Sequence, residues 1–431
     1  MENKDLEYGD VNLVPQTVRN LLDLVGQKQK VTKFSPYIYK APQTFRELSP
    51  TSFTPRVVSI GPLHREDKNL QRFEVRKAAF VHDLLCRRLD SSPTETLTAC
   101  VEKVASMIKE IRGSYVDMMS YNDSKLTEMM VMDACFILEF IHDMPKDCNL
   151  RLQDQHIPYD LVLLENQIPF FVLEGVYECT IYNFVGQSLG TFIHPLLQHT
   201  NIFEGIIKAE RTLSYTNLDH ILGYLHHCYQ PENEISSNFP RSTIHSAVEL
   251  DHAGVNFKPN QDAKWPMAME VKTYGYHSKI FWFSSKTTLT MPTLRIDDFT
   301  EMILRNLIAY EQSYVDYPYV TSYARAMDML IDTHEDIAKL VTSKVIVNHI
   351  GSNEEAANMI NGICKEVAPE HFCYTQQWEQ LDRHFNSYWP RKIVKLKQTH
   401  FNSPWSIIAV FAGFVLFGLT ITQTIYAVKS S

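Results

Sequence analysis

The chain has 431 residues, 45% of them hydrophobic and 21% charged, and a formal net charge of −9. That composition excludes wholesale disorder, and an acidic balance without a basic stripe excludes nucleic acid as a natural partner. The length exceeds one comfortable hydrophobic core, so it predicts one large domain or two to three smaller ones.

Residues 1–34 read as a polar N-terminal arm with one amphipathic piece, VRNLLDLVGQ. With Glu2, Asp5, Glu7 and Asp10 and no apolar run, this start is neither a secretory signal nor a mitochondrial transit peptide. Next, Pro36, Pro42, Pro50, Pro55 and Pro62 forbid a long helix, and the β-branched stretch Arg56–Ile60 predicts a short strand. A helix follows over 68–89, with Leu70, Phe73, Lys77, Phe80 and Leu84 on one face and the Lys77 stem snorkelling. Ser92, Pro93 and Glu95 form a capping box with proline at the first helical position. The stripe Leu97, Val101, Val104, Ile108, Ile111 and Tyr115 continues that helix. LTEMMVMDACFILEFIHDM is apolar nearly all round, yet Glu128, Asp133 and Glu139 make it a central core helix rather than a membrane span.

After Pro158 the run YDLVLLENQIPFFVLEGVYECT is again apolar, and Pro169 should end or kink its helix. Residues 200–228 continue in helical periods. Residues 229–279 lose periodicity and read as long loops around AVELDHAGVNFK. Residues 279–290 alternate as a strand, paired with Leu294–Ile296. Helices then start at Asp298 with Glu301, at Thr333 with Asp336 and at Ser352 with Glu355, and SYARAMDMLIDT carries another. Residues 378–400 form a charged amphipathic helix. The chain closes on an uncharged apolar run from Trp405 to Val428, whose helical length of about 36 Å suffices to span a bilayer. Arg391, Lys392, Lys395 and Lys397 precede this run and Lys429 alone follows it, which places the body in the cytosol. The eight cysteines, with no C-x-x-C pair, fit reduced buried thiols in that compartment.

No nucleotide-binding or hydrolase motif occurs, and no cofactor is implied. His226-His227-Cys228 is the one dense group of metal-type ligands. Adjacent helical side chains diverge by about 100°, so these three do not converge on an ion and read better as a surface or half-buried helix end. Asp297, Asp298 and Glu301 could hold a cation, but capping explains them with fewer assumptions. Glu165, Asn166 and Gln167 are polar within an apolar run. They form either a buried polar network that satisfies backbone near Pro169, with Asp133 as a partner, or a ligand-reading site. Arg56 and His64 are ambiguous in the same way.

Several segments, in order, resemble one family: IYKAPQTFRELSPTSFTPRVVSIGPLH, MMVMDACFILEF, YDLVLLENQIPFFVLEGVY, SAVELDHAGVNFK, LTMPTLRIDDFTEMILRNLIAYEQ, AMDMLIDTHEDI, GSNEEAANMINGICKEV and the apolar tail. The chain is identified as resembling the plant "domain of unknown function 247" proteins from Ser35 to Val428. It departs at IYKAP, where the family usually has IYKVP, and at HREDKNL. The resemblance implies a family domain over 35–400 and a transmembrane helix over 405–428. Some family members are implicated in pollen–stigma recognition in grasses, and no biochemical activity defines the family.

These readings converge on a mainly α, α-rich α+β fold with a few short strands and one C-terminal membrane helix. The expected function is that of a non-enzymatic interaction, signalling or recognition protein, single-pass in the plasma membrane or an endomembrane. Its partners would be the bilayer and other proteins. The alternative is a membrane-tethered enzyme, with Asp133, Glu139, Glu165 and His64 as its first residues to test.

Overall fold

A computed structural model of the chain describes residues 18–19, 36–87, 92–116, 121–145, 150–151, 154–205, 207, 218–231, 244–260, 265–274, 286–315, 317–367, 371–386 and 404–430. The fold is mainly helical, as expected, with five short strands among the described residues. These residues gather into two compact units. One draws on Met1–Pro42, Phe53–Leu196 and Glu210–Tyr224, the other on Gln43–Ser52, Leu197–Ala209 and Leu225–Ser431.

The first unit is built around the helix Asp123–His142, which is buried almost all round, so its apolar sequence needs no membrane to explain it. Phe136 on this helix meets Phe73 and Phe80 edge-on, with ring centroids 5.5 and 5.2 Å apart. The helix expected over 68–89 is shorter: Asp67 accepts from Asn69 and Leu70 in a turn, a 3-10 turn covers Gln71–Phe73, and the α-helix runs Glu74–Cys86. Ser92 caps Pro93–Ser106 through its hydroxyl while Glu95 reaches back to the Ser92 N–H, at 3.2 and 2.9 Å. The continuous stripe to Tyr115 breaks at Met107, whose φ of −101° and ψ of 8° separate that helix from Ile108–Gly113. Around Pro169 the chain forms one helical turn, Ile157–Asp160, then irregular turns, then the helix Phe170–Thr180. Two expectations fail here. Arg56–Ile60 forms no strand, and the Lys77 side chain does not snorkel but is fully buried.

Residues 200–228, expected to continue in helical periods, are helical only over Ile221–Cys228 among the described residues. The chain leaves the helix Leu189–His199, passes through an isolated bridge between Phe203 and Leu294, and re-enters helix at Ile221–Cys228. The stretch AVELDHAGVNFK, which the loops were expected to surround, forms a capped helix, Ala247–His252, and most of β1 (Val255–Pro259), while β2 (Glu270–Tyr274) lies where loop was expected. The strand expected over 279–290 is β3 (Lys286–Met291); 275–285 lie outside the described residues. β3 sits between β1, parallel, and β2, antiparallel, so it does not pair with β4 (Leu294–Ile296), which runs parallel to β5 (Ile346–Asn348). Only two residues separate β3 from β4, and β4 starts a different sheet.

Thr333 and Asp336 engage each other at the start of His334–Thr342, and the Ser352 hydroxyl accepts from the Glu355 N–H, as their spacings predict. The box at Asp298 is displaced: the helix is Thr300–Tyr314, and Asp297 makes the turn, accepting from the Phe299 N–H and the Thr300 hydroxyl at 3.0 Å each. Glu301 instead bonds Arg305 at 2.7 Å. The helix expected over 378–400 is described over Thr375–Asn386; the basic residues Arg391, Lys392, Lys395 and Lys397 lie outside the described residues.

The last helix runs Pro404–Ser430, 27 residues. Along it, side chains are described only at 408, 412–413 and 415–425, and all of these are exposed. Among the described residues no helix is long and apolar enough to cross a membrane, so the span expected over 405–428 is not shown.

Candidate functional site

The extended segment RVVSIG at 56–61 is the key to the first unit. Its β-branched residues predict a strand, but among the described residues no strand neighbours it and its backbone polar groups need other partners. Side chains supply them. The Asp160 carboxylate accepts from the N–H groups of Arg56, Val57 and Val58 at 2.9, 2.7 and 2.9 Å. The Ile60 N–H donates to Asn166 Oδ1 at 2.7 Å, and the Gly61 N–H to Asp133 Oδ2 at 2.8 Å. In return, Asn166 Nδ2 donates to the carbonyls of Val58 and Asp160 at 3.0 and 2.9 Å, and Lys77 Nζ donates to the Ser59 carbonyl.

Lys77 also anchors the ionic part. Its ammonium lies 2.6 Å from Asp133 Oδ1 and 2.9 Å from Glu74 Oε1, with the Lys77 and Asp133 side chains fully enclosed. Arg65 pairs with Glu74 at 2.6 Å and approaches Asp133 at 3.7 Å. Two cations thus face two carboxylates, which is the condition under which charge survives burial.

Glu165, Asn166 and Gln167 are all buried, beside this cluster. Glu165 accepts from the Ala41 N–H at 3.0 Å and lies 3.1 Å from His64 Nε2. Gln167 Nε2 donates to the carbonyls of Leu161 and Leu163 at 2.8 and 2.7 Å, in the turns that follow Ile157–Asp160. The Gln167 carbonyl accepts the Tyr115 hydroxyl at 3.0 Å. Gly61, at φ +70°, packs against that carbonyl so closely that a Cβ would lie 2.5 Å from it.

The structure therefore brings Asp133, Glu165, Asn166, Gln167, Arg56 and His64 into one unit around residues 56–61. Glu139 stands apart, bound by Arg87 at 2.6 Å. Sequence reasoning missed Lys77, Asp160 and Gly61. Lys77 on the apolar face of its helix was the available signal, and Asp160 gave none. Burial pushes the Asp160 carboxyl up to about 6, against the pull of its three backbone donors. Chemically, Asp133, Asp160 and Glu165 accept from backbone N–H groups and from Lys77 or His64. At the rim, exposed Arg56 and partly exposed His64, Arg65 and Glu74 face outward.

The second unit holds a smaller buried site. Glu311 Oε1 lies 2.8 Å from His226 Nε2 and accepts the Val320 N–H at 2.8 Å, while Oε2 accepts the N–H and hydroxyl of Thr321 at 2.6 Å each. The carboxylate thus closes the N-terminus of the helix Tyr319–Leu330, where backbone donors lack partners. His226 is therefore a buried partner of Glu311, not a surface residue. Among the described residues no group of three His, Cys, Asp or Glu side chains is placed to hold a metal ion.

The described body is rich in helix, and its buried carboxylates Asp133, Asp160 and Glu165 bind its own backbone. The sequence profile of the family described as "plant protein of unknown function", DUF247, matches residues 38–419, and the chain belongs to that family. It is 28% identical to "UPF0481 protein At3g47200" of Arabidopsis thaliana, over 92% of this chain and 87% of that protein. It is 24% identical to "Putative UPF0481 protein At3g02645" of the same plant, over 96% and 94% respectively. No solved structure matches the chain.

Proposed function

We propose that the protein is a single-pass membrane protein, anchored by its last helix with the body in the cytosol, and that it acts as a non-enzymatic interaction or signalling protein. One observation carries the anchoring. The described large apolar side chains of Pro404–Ser430 are all exposed, Leu416 at 64% and Phe417 at 66% among them. A soluble monomer rarely leaves such a surface bare, and a bilayer absorbs it. The hydroxyls of Thr420, Thr422 and Thr424 donate to carbonyls four residues back at 2.8 Å each, so they stay satisfied in an apolar medium. The interaction reading is supported by the carboxylates of the first unit, whose oxygens serve the fold itself.

Protease protection on sealed microsomes, with a tag at each terminus, tests the arrangement: the N-terminal tag should be digested and the C-terminal tag protected. The reverse pattern overturns the cytosolic body. Proximity labelling that recovers no protein above a control lacking residues 404–431 overturns the interaction role.

A further inference from the structure

Away from that network, the helices Pro93–Ser106 and Phe170–Thr180 pack closely. Lys103 Nζ bonds Glu178 Oε2 at 3.0 Å, and a Cβ at Gly175 would lie 3.1 Å from both the Lys103 stem and the Met107 methyl. Lys103 and Met107 thus face 178 and 175, so the two helices run antiparallel. Three residues before Lys103 stands Cys100, and next to Glu178 stands Cys179. Their side chains are hydrogen-bonded to each other. Both are free thiols, Cys100 fully buried and Cys179 partly open to solvent. Gly175 matters to this approach, since a side chain there would press on Lys103 and Met107.

We propose that Cys100 and Cys179 form a reversible oxidation site, which a small-molecule disulfide such as oxidised glutathione converts into a cross-link between the two helices. Cys179 is the entry point. Its thiolate attacks one glutathione sulfur, forming a mixed disulfide and releasing one glutathione thiolate. The Cys100 thiolate then attacks the Cys179 sulfur, forms the Cys100–Cys179 bond and expels the second glutathione. The two cysteines give up two protons and two electrons, and oxidised glutathione leaves as two thiols. The hydrogen bond between the two thiols and the close helix approach at Gly175 bring the two sulfurs together. The hydrogen bond with Cys100, and then burial, hold the Cys179 thiol well above the usual range, so the thiolate is scarce at neutral pH and the exchange accelerates in alkali. In a reducing compartment such a pair rests as thiols and closes slowly under a disulfide oxidant.

The test uses the full chain, incubated natively with oxidised glutathione, alkylated, digested and mapped by mass spectrometry. The expected product is a Cys100–Cys179 linked peptide pair, reversed by dithiothreitol and formed faster at alkaline than at neutral pH. Exposed Cys86 is expected to carry glutathione instead. Because a serine at either position could disturb packing, thermal unfolding gives a second readout: oxidation should raise the transition of the wild type and leave Cys179→Ser unchanged. Glutathione on Cys179 with Cys100 still free, or both thiols unmodified while Cys86 is capped, overturns the proposal.

Discussion

Lys77 Nζ and Asp133 Oδ1 lie 2.6 Å apart with both side chains fully enclosed, and between them they hold the backbone of 59–61 in place. A buried pair of this kind punishes the loss of one partner more than the loss of both. Asp133→Leu or Lys77→Met alone should therefore lower the unfolding free energy by about 3–5 kcal/mol. The double variant should lose less than the sum of the two. Urea denaturation of all three variants checks this, and strict additivity would count against a coupled pair.

Gly61→Ala should destabilise by about 1–3 kcal/mol from the left-handed backbone alone, with a further loss from the approach to the Gln167 carbonyl. A melting temperature within error of the wild type would mean that residues 56–61 can move away from Gln167. Gly186→Ala, also at positive φ but in open space, is the control: it carries the backbone strain without the clash.

Asp160 makes a prediction about pH. Its folded carboxyl titrates near 6 while its unfolded value is 3.8, so the folded state holds the proton more tightly. The contribution of this group to stability is fully present below the unfolded value and is lost as pH rises through about 6. The loss amounts to about 3 kcal/mol, for a shift of about two units. The difference in unfolding free energy between the wild type and Asp160→Asn, measured from pH 4 to 7, should drift against the wild type over that window. A flat difference would place the carboxyl at its ordinary value.

Glu311 serves the start of the helix Tyr319–Leu330 with both oxygens. Glu311→Ala leaves those donors buried and unpaired, and His226 without its carboxylate, for about 2–3 kcal/mol. Glu311→Gln keeps one acceptor and should fall between. Hydrogen exchange should speed up first at the N–H groups of Val320 and Thr321.

Deleting residues 404–431 should move the protein from the membrane pellet to the supernatant with its far-ultraviolet circular dichroism of a helical body intact. A truncated protein that stays with membranes through a high-salt wash would show that another surface holds it there.

Helices that carry their own caps were legible from the chain. Ser92 with Glu95, Thr333 with Asp336 and Ser352 with Glu355 act over three residues, and local chemistry decides them. The all-round apolar pattern likewise marked Asp123–His142 as a core helix. Strand pairing was not legible. β3 finds its neighbours in β1 and β2 rather than in nearby β4, because sheet partners are chosen across the fold.

The same division runs through the candidate site. The polarity of Glu165, Asn166 and Gln167 inside an apolar run, and of Asp133 inside an apolar helix, was set by sequence alone: such side chains demand partners wherever they are buried. Which partners they take was decided by tertiary structure. Arg56–Ile60 read as a strand, yet among the described residues no strand lies beside it, so the backbone of 56–61 turned to Asp160, Asn166 and Asp133, the first two from about a hundred residues away. Lys77 read as a snorkelling stem until Asp133 supplied the charge that makes burial tolerable. Local propensity ends where a polar group's only available partner is distant in the chain, and from there three-dimensional packing decides.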